Sequence, residues 1–199
     1  METNKSWSNP TPAGLVALAV ACSCFFALLT GGVEASAMPL IGCWLLGGFV
    51  VQLAVALLDL KGGNAAGGNT FLFFCAFFML TGGLEMLLKY RALTSGGALD
   101  ARIDGYAWAI LAATLLLWTP AFFKKFGLLS LIVLSLDVAL PLIALADLRV
   151  LTHPAVPHVA AWALLTAGVM GVYLAAATVV NGTLGRTVYP LPDSRKPKK

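Results

Sequence analysis

The sequence predicts an all-α integral membrane protein with six transmembrane helices. Hydrophobic residues make up 59% of the 199-residue chain and charged residues only 11%, and the mean hydropathy is +0.88. Such a chain has too little polar surface to cover a water-soluble globule. Six segments approach or exceed the roughly 20 mostly apolar residues that a bilayer core requires. Each is continuously apolar, whereas strands of a membrane barrel would alternate apolar and polar residues, so the spans read as helices.

The expected spans run, in order, from Ala13 to Thr30, Met38 to Leu58, Thr70 to Leu88, Tyr106 to Phe123, Phe126 to Leu145 and Val156 to Val180. Pro12 suits the first turn of span one, where its missing N–H is no loss, and Asn9 can cap or bridge from just outside. The turn Gly31-Gly32-Val33-Glu34 leads straight into span two, so the first run is a permanent helix rather than a cleaved signal. Span three follows Gly63-Asn64-Ala65-Ala66-Gly67-Gly68-Asn69-Thr70, which supplies two asparagines and flexible backbone. Spans one, three and five start on the same side, and their positive dipole ends favour anions there. The chain divides into a tail with an opening motif over 1–12, a six-helix domain over 13–180, and a C-terminal tail over 181–199.

Basic residues set the orientation. Lys5, Lys61, Lys124, Lys125, Arg186, Arg195, Lys196, Lys198 and Lys199 fall on the side of the termini, against Lys89, Arg91, Arg102 and Arg149 on the other. Positive-inside bias places both termini in the cytoplasm of a plasma membrane, either the bacterial cytoplasmic (inner) membrane or its equivalent, with Arg195 to Lys199 close to anionic lipid. The basic balance therefore points to lipid, not to nucleic acid.

Cys22, Cys24, Cys43 and Cys75 lie inside spans and read as packing residues. His153 and His158 flank Pro154 and Pro157 without the i, i+4 spacing of helical ligands, so a capping role fits them better. The pattern points to neither metal nor cofactor, and it contains no nucleophile, acid/base dyad or phosphate loop, so no enzyme is expected. Paired glycines and Gly168-Val169-Met170-Gly171 suit close helix packing or a thin pathway wall. Asp137 is the ionisable residue nearest the middle of a span. Such a group costs about 2.5–3.5 kcal/mol at the helix centre on the translocon scale. It reads either as a proton carrier or as interhelical glue to Ser135, Thr166 or a carbonyl near Pro141. Asp59, Glu85 and Asp147 sit nearer span ends, where water reaches more easily, and Glu85 can pair with Lys89.

Asn9-Pro10-Thr11-Pro12-Ala13-Gly14-Leu15 resembles the opening signature of the acetate uptake transporter family, which includes bacterial succinate/acetate permeases. Gln52 followed by Leu57-Leu58-Asp59-Leu60-Lys61-Gly62-Gly63-Asn64 is similar to the family's second stretch. His158, Trp162, Tyr173 and Asn181, leading into Gly185-Arg186-Thr187-Val188-Tyr189-Pro190, are similar to its closing motif. The resemblance implies a hexamer with one solute pathway per protomer and a hydrophobic constriction at Leu18, Phe74 and Leu136. The family pattern has Phe and Tyr where this chain has Leu18 and Phe74. Aligning the later Gly68-Asn69-Thr70-Phe71 copy instead moves the span-three position to Met79. Gly171 corresponds to a small residue that influences solute size, while Asn9, Pro10, Pro12, Gln52, Asn64, Asn69 and Asn181 form vestibule and motif positions. The implied function is a transporter or channel for acetate and other short carboxylates, with succinate and proton coupling both possible extensions. A urea or short-amide channel and a non-transporting scaffold are the alternatives; a scaffold would confine its polar residues to helix contacts.

Overall fold

A computed structural model describes residues 8–124 and 127–192, together with the backbone alone of Lys125. Lys5 and the basic run Arg195 to Lys199 lie outside the described residues. Every regular element described is helical. The helices are α1 (Thr11–Leu29), α2 (Met38–Lys61), α3 (Ala65–Phe73), α4 (Gly82–Ser95), α5 (Arg102–Phe122), α6 (Leu128–Asp147) and α7 (Ala155–Leu184), and a π-helical stretch, Phe74–Thr81, joins α3 to α4 as one span. Six spans are thus long and apolar enough to cross a membrane, and the chain is an integral membrane protein.

The spans begin and end where capping chemistry permits, and most run longer than hydropathy suggests. Span three starts at Ala65, not Thr70, because the Asn64 side chain accepts a hydrogen bond from the Gly67 N–H at 3.1 Å. This satisfies a free donor of the first turn. The last helix extends to Leu184 and stops at Gly185, whose φ of +62° is natural only for a residue without Cβ. Beyond it the chain folds back along α7: the Asn181 amide oxygen accepts from the Val188 and Tyr189 N–H groups at 2.7 and 3.0 Å, and the Tyr173 hydroxyl donates to the Pro190 carbonyl at 2.7 Å. These bonds keep polar backbone from lying bare beside apolar surface.

The spans close a ring. α1 packs between α2 and α7, α2 lies against the α3–α4 span, and α6 lies between α5 and α7. The circle closes between the α3–α4 span and α5, where Phe73 meets Trp118 edge-on at 5.5 Å and Phe78 meets Trp108 at the same distance. Such aromatic contacts add stability beyond simple burial. The α2–α4 seam depends on missing side chains. A Cβ on Gly42 would meet the Gly83 carbonyl oxygen at 2.8 Å, and one on Gly83 would meet that of Gly42 at 3.1 Å. Lipid supplies no hydrophobic drive between helices, so backbone approach of this kind is what holds them.

Gly42→Val is therefore expected to force α2 from α4 and destabilise the protein by about 1–3 kcal/mol. Gly47→Val enters open space and serves as the control. Thermal unfolding of the two variants in detergent should show a clear drop for the first alone; equal melting would refute the close-packing account.

Candidate functional site: a cavity at the terminal end of the bundle

The end of the bundle that carries both described termini holds a cavity of about 360 Å³. The starts of α1, α3 and α6, the end of α5 and the middle of α2 form its walls. Near the rim stand Thr11, Asn64, Gly67 and Lys124; deeper lie Leu15, Gln52, Thr70 and Phe71; Leu18, Phe74 and Leu136 form the apolar floor. These three are seven to nine positions along their spans. At 1.5 Å per residue the floor is thus about 10–13 Å below the helix starts, near the middle of a bilayer. All three are buried, with exposures of 5, 3 and 3%.

The site's positions follow from local chemistry. The Asn9 side chain accepts from the Thr11 N–H at 3.0 Å, bridging the start of α1. The Thr11 hydroxyl then reaches both oxygens of Asp59 at 3.4 Å, and the Asn64 amide donates to the same carboxylate at 3.2 Å. Asp59 is only 4% exposed, so it is not the loosely solvated end residue that its position suggests. Ser130 joins α6 to α5: its hydroxyl donates to the Phe122 carbonyl at 2.8 Å and accepts from the Gly127 N–H at 3.3 Å. Gly14 lets α3 approach, since a Cβ there would strike the Phe71 ring at 2.7 Å.

The wall is sparingly polar. Gln52 Nε2 donates to the Gly14 carbonyl at 3.3 Å, whereas Gln52 Oε1 and Thr70 Oγ1 are buried with no protein partner among the described residues. Buried polar atoms normally find a partner in protein or in a small polar molecule. Lys124, at the rim, supplies an exposed cation. An apolar chamber with a few convergent polar groups and one positive charge suits a small anion that also carries an apolar end.

The cavity gathers Leu18, Gln52, Asn64, Phe74 and Leu136 from among the residues that the sequence marks. Met79, the other register for span three, is fully buried beneath Gly48 and lies off the cavity wall. Gly171 stands behind the wall, with its Cβ position 3.4 Å from the Leu15 carbonyl oxygen. Asn9, Pro10 and Pro12 frame the start of α1 from outside the cavity. Asn69 donates to the Ala65 carbonyl at 2.8 Å, and Asn181 clamps the C-terminal fold-back, so neither reaches the chamber. Asp137 also points elsewhere. Its Oδ2 accepts from the Thr119 hydroxyl on α5 at 2.6 Å, while the hydroxyls of Ser135 and Thr166 bond to carbonyls of their own helices. Among the described residues no metal-binding cluster occurs, and the four cysteines are free thiols.

A bundle of six spans, five of them lining an apolar chamber that is polar at its mouth and closed by an aromatic and two leucines, defines a membrane protein built to pass or hold small solutes. Known proteins of that class match nearly the whole chain. The succinate-acetate/proton symporter SatP of Escherichia coli K12 is 25% identical over 191 residues, covering 96% of this chain and 98% of that protein. The SatP proteins of Escherichia coli O157:H7 and Shigella flexneri match equally. The solved structure of the bacterial acetate channel SatP superposes with a TM-score of 0.75 at 24% identity, over 94% of this chain and 99% of that one. No family model matches the sequence. The resemblance to the acetate uptake transporter family that the opening, middle and closing motifs carry is thus borne out along nearly the full length.

The Asp137–Thr119 bond makes a separable prediction. Asp137→Asn keeps an acceptor for the Thr119 hydroxyl and should melt close to the parent, whereas Asp137→Leu leaves that hydroxyl only the Leu115 carbonyl of its own helix, 2.9 Å away, and should lose about 0.5–1.5 kcal/mol with the α5–α6 bond. Indistinguishable melting of the Asn and Leu variants would remove the bond from the account.

Proposed function

We propose that this protein carries acetate, and with it other short carboxylates up to succinate, across a bacterial-type inner membrane, using the cavity as the solute chamber. The observation that carries the reading is the convergence of Leu18, Phe74 and Leu136 from three separate spans at the base of a chamber whose rim holds Asn64 and Lys124. A dry constriction excludes hydrated ions and large solutes, and polar groups above it replace part of the solute's hydration shell. The named relatives act on the same class of solute. A scaffold has no use for such a chamber, and a neutral-amide channel has none for a cation at its rim.

In this reading both termini are cytoplasmic, placing the chamber's mouth, Lys124 and the basic tail on that side. The protomers assemble as a homo-hexamer in lipid, each with its own pathway. Asp137 serves the α5–α6 contact, since its bond to Thr119 turns it from the chamber. Lys124 raises the local concentration of anions at the mouth, a steering effect that salt screens.

The reading is tested by labelled-acetate uptake into proteoliposomes, where the parent should exceed protein-free vesicles and compete with unlabelled acetate more than with urea. Leu136→Ala should widen the floor and raise lactate or succinate flux relative to acetate. Lys124→Gln should raise the apparent KM severalfold at low salt, leave the maximal rate near the parent's, and lose its effect at high salt. Uptake equal to that of empty vesicles would sink the transport reading, and an unchanged selectivity order in a correctly inserted Leu136→Ala would move the constriction elsewhere.

A further inference from the structure

The opposite end of the bundle carries a charge cluster that the chamber does not use. Lys89 on α4 lies 2.6 Å from Asp104 on α5 and 3.3 Å from Glu85 one turn away. Gly105 lets α5 approach the end of α6 so closely that a Cβ there would stand 2.7 Å from the Leu148 backbone nitrogen. That contact brings Asp147, the last residue of α6, within electrostatic reach of Lys89, Asp104 and Glu85. Three carboxylates share one ammonium, which leaves two uncompensated negative charges when all are ionised. Lys89 is committed to Glu85 and Asp104, while Asp147 makes no hydrogen bond or close ion pair among the described residues.

Neighbouring groups do not restore the balance. Arg102 is bound to Asp100 at 2.6 Å, and its hydrogen bonds hold that exposed carboxyl down at about 2. Arg149 is exposed, just beyond the end of α6. On the α7 side, the His153 ring accepts from the Ala155 N–H at 3.2 Å and the His158 ring faces the Pro154 carbonyl at 3.2 Å. A surplus of like charge in a partly desolvated seam is relieved most directly by binding a proton.

The cluster also connects to the chamber. A second cavity of about 300 Å³ has Glu85, Asp104 and Trp108 on its wall. Trp108 meets Phe78 edge-on at 5.5 Å, and Phe78 meets Phe74, on the chamber floor, at 5.9 Å. Aromatic contact therefore runs from the constriction to the charged end.

We propose that Glu85, Lys89, Asp104 and Asp147 form the proton-binding element of transport, with Asp147 the residue that takes the proton. Fully ionised, the cluster sets two surplus negative charges against a carboxylate at this end of the bundle; one bound proton halves that surplus and eases the anion's approach. Proton binding and carboxylate binding then favour each other, as reciprocal linkage requires. The inference rests on reading the chain as a carboxylate transporter.

The test is exchange of labelled acetate across proteoliposomes with the same pH on both faces and a fixed concentration of acetate anion, less the exchange of protein-free vesicles. The parent's exchange should rise as pH falls, by up to about tenfold per pH unit where one proton must bind. Asp147→Asn, uncharged at every pH, should give a flat profile at the parent's acidic level. The double variant His153→Gln, His158→Gln should keep the parent's slope. Glu85→Gln, which lowers the same charge surplus without touching α6, should flatten the profile as well and stands in if Asp147→Asn fails to insert. A parent-like slope in Asp147→Asn or in Glu85→Gln, loss of the slope in the histidine variant, or a flat parent profile would overturn the proposal while leaving transport intact. No exchange by the parent at any pH would instead sink the transport reading beneath it.

Discussion

The chamber depends on one buried carboxylate. Asp59, at the last turn of α2, accepts from Thr11 at the start of α1 and from Asn64 at the cap of α3, so three chain segments meet at one residue. A carboxylate 4% exposed is tolerable near hydrocarbon only when donors surround it. Its donors are the residues that begin the two neighbouring spans. Once those starts are fixed, the fall of each helix places Leu18 and Phe74 at one depth. Ser130, holding α6 to the end of α5, brings Leu136 to the same level. The constriction is thus set from the rim, through rigid helices.

The same economy governs the rest of the bundle. Hydrocarbon offers no partner for a polar group, so polar side chains within the spans pair with one another or with backbone carbonyls. Asp137 with Thr119 binds α5 to α6, Asn181 with residues 188 and 189 folds the chain back along α7, and Lys89 with Asp104 joins α4 to α5. Gln52 Oε1 and Thr70 Oγ1 depart from this pattern, buried in chamber-lining residues without a protein partner among the described residues. The π-helical stretch Phe74–Thr81 adds a second departure. Wider turns there bring Phe74 to the chamber and Phe78 to Trp108, and π-helical turns within α-helices frequently mark functional sites.

Much of this architecture was legible in the chain because membranes make simple demands. Apolar runs of sufficient length give the six spans, and counting from Asn9 and Gln52 leads to the residues that meet at the chamber floor. What escaped were relations between distant segments. Asp59 read as a solvated end residue because nothing local announces that Thr11 and Asn64 will enclose it. The sequence around Asp137 points to partners on its own helix or on α7, whereas its partner, Thr119, lies on α5. The spacing of Glu85 and Lys89 pairs them, but Asp104 joins them across the α4–α5 contact and Asp147 through the packing of Gly105 on the end of α6. Asn69 and Asn181, marked for the vestibule, serve helix ends instead, which is the commoner use of asparagine at such positions.

The central claim is that solute occupies the chamber above Leu18, Phe74 and Leu136, and cysteine accessibility tests it most directly. In a chain with Cys22, Cys24, Cys43 and Cys75 replaced, Leu129→Cys places a thiol on the chamber wall, while Val138→Cys places one on an outward face. A small charged thiol reagent should label the Leu129 position from the side of the termini and leave the lipid-facing Val138 position unlabelled, and acetate should slow labelling at Leu129. Labelling of the Leu129 position that acetate leaves unchanged, or access only from the opposite side, would contradict the account.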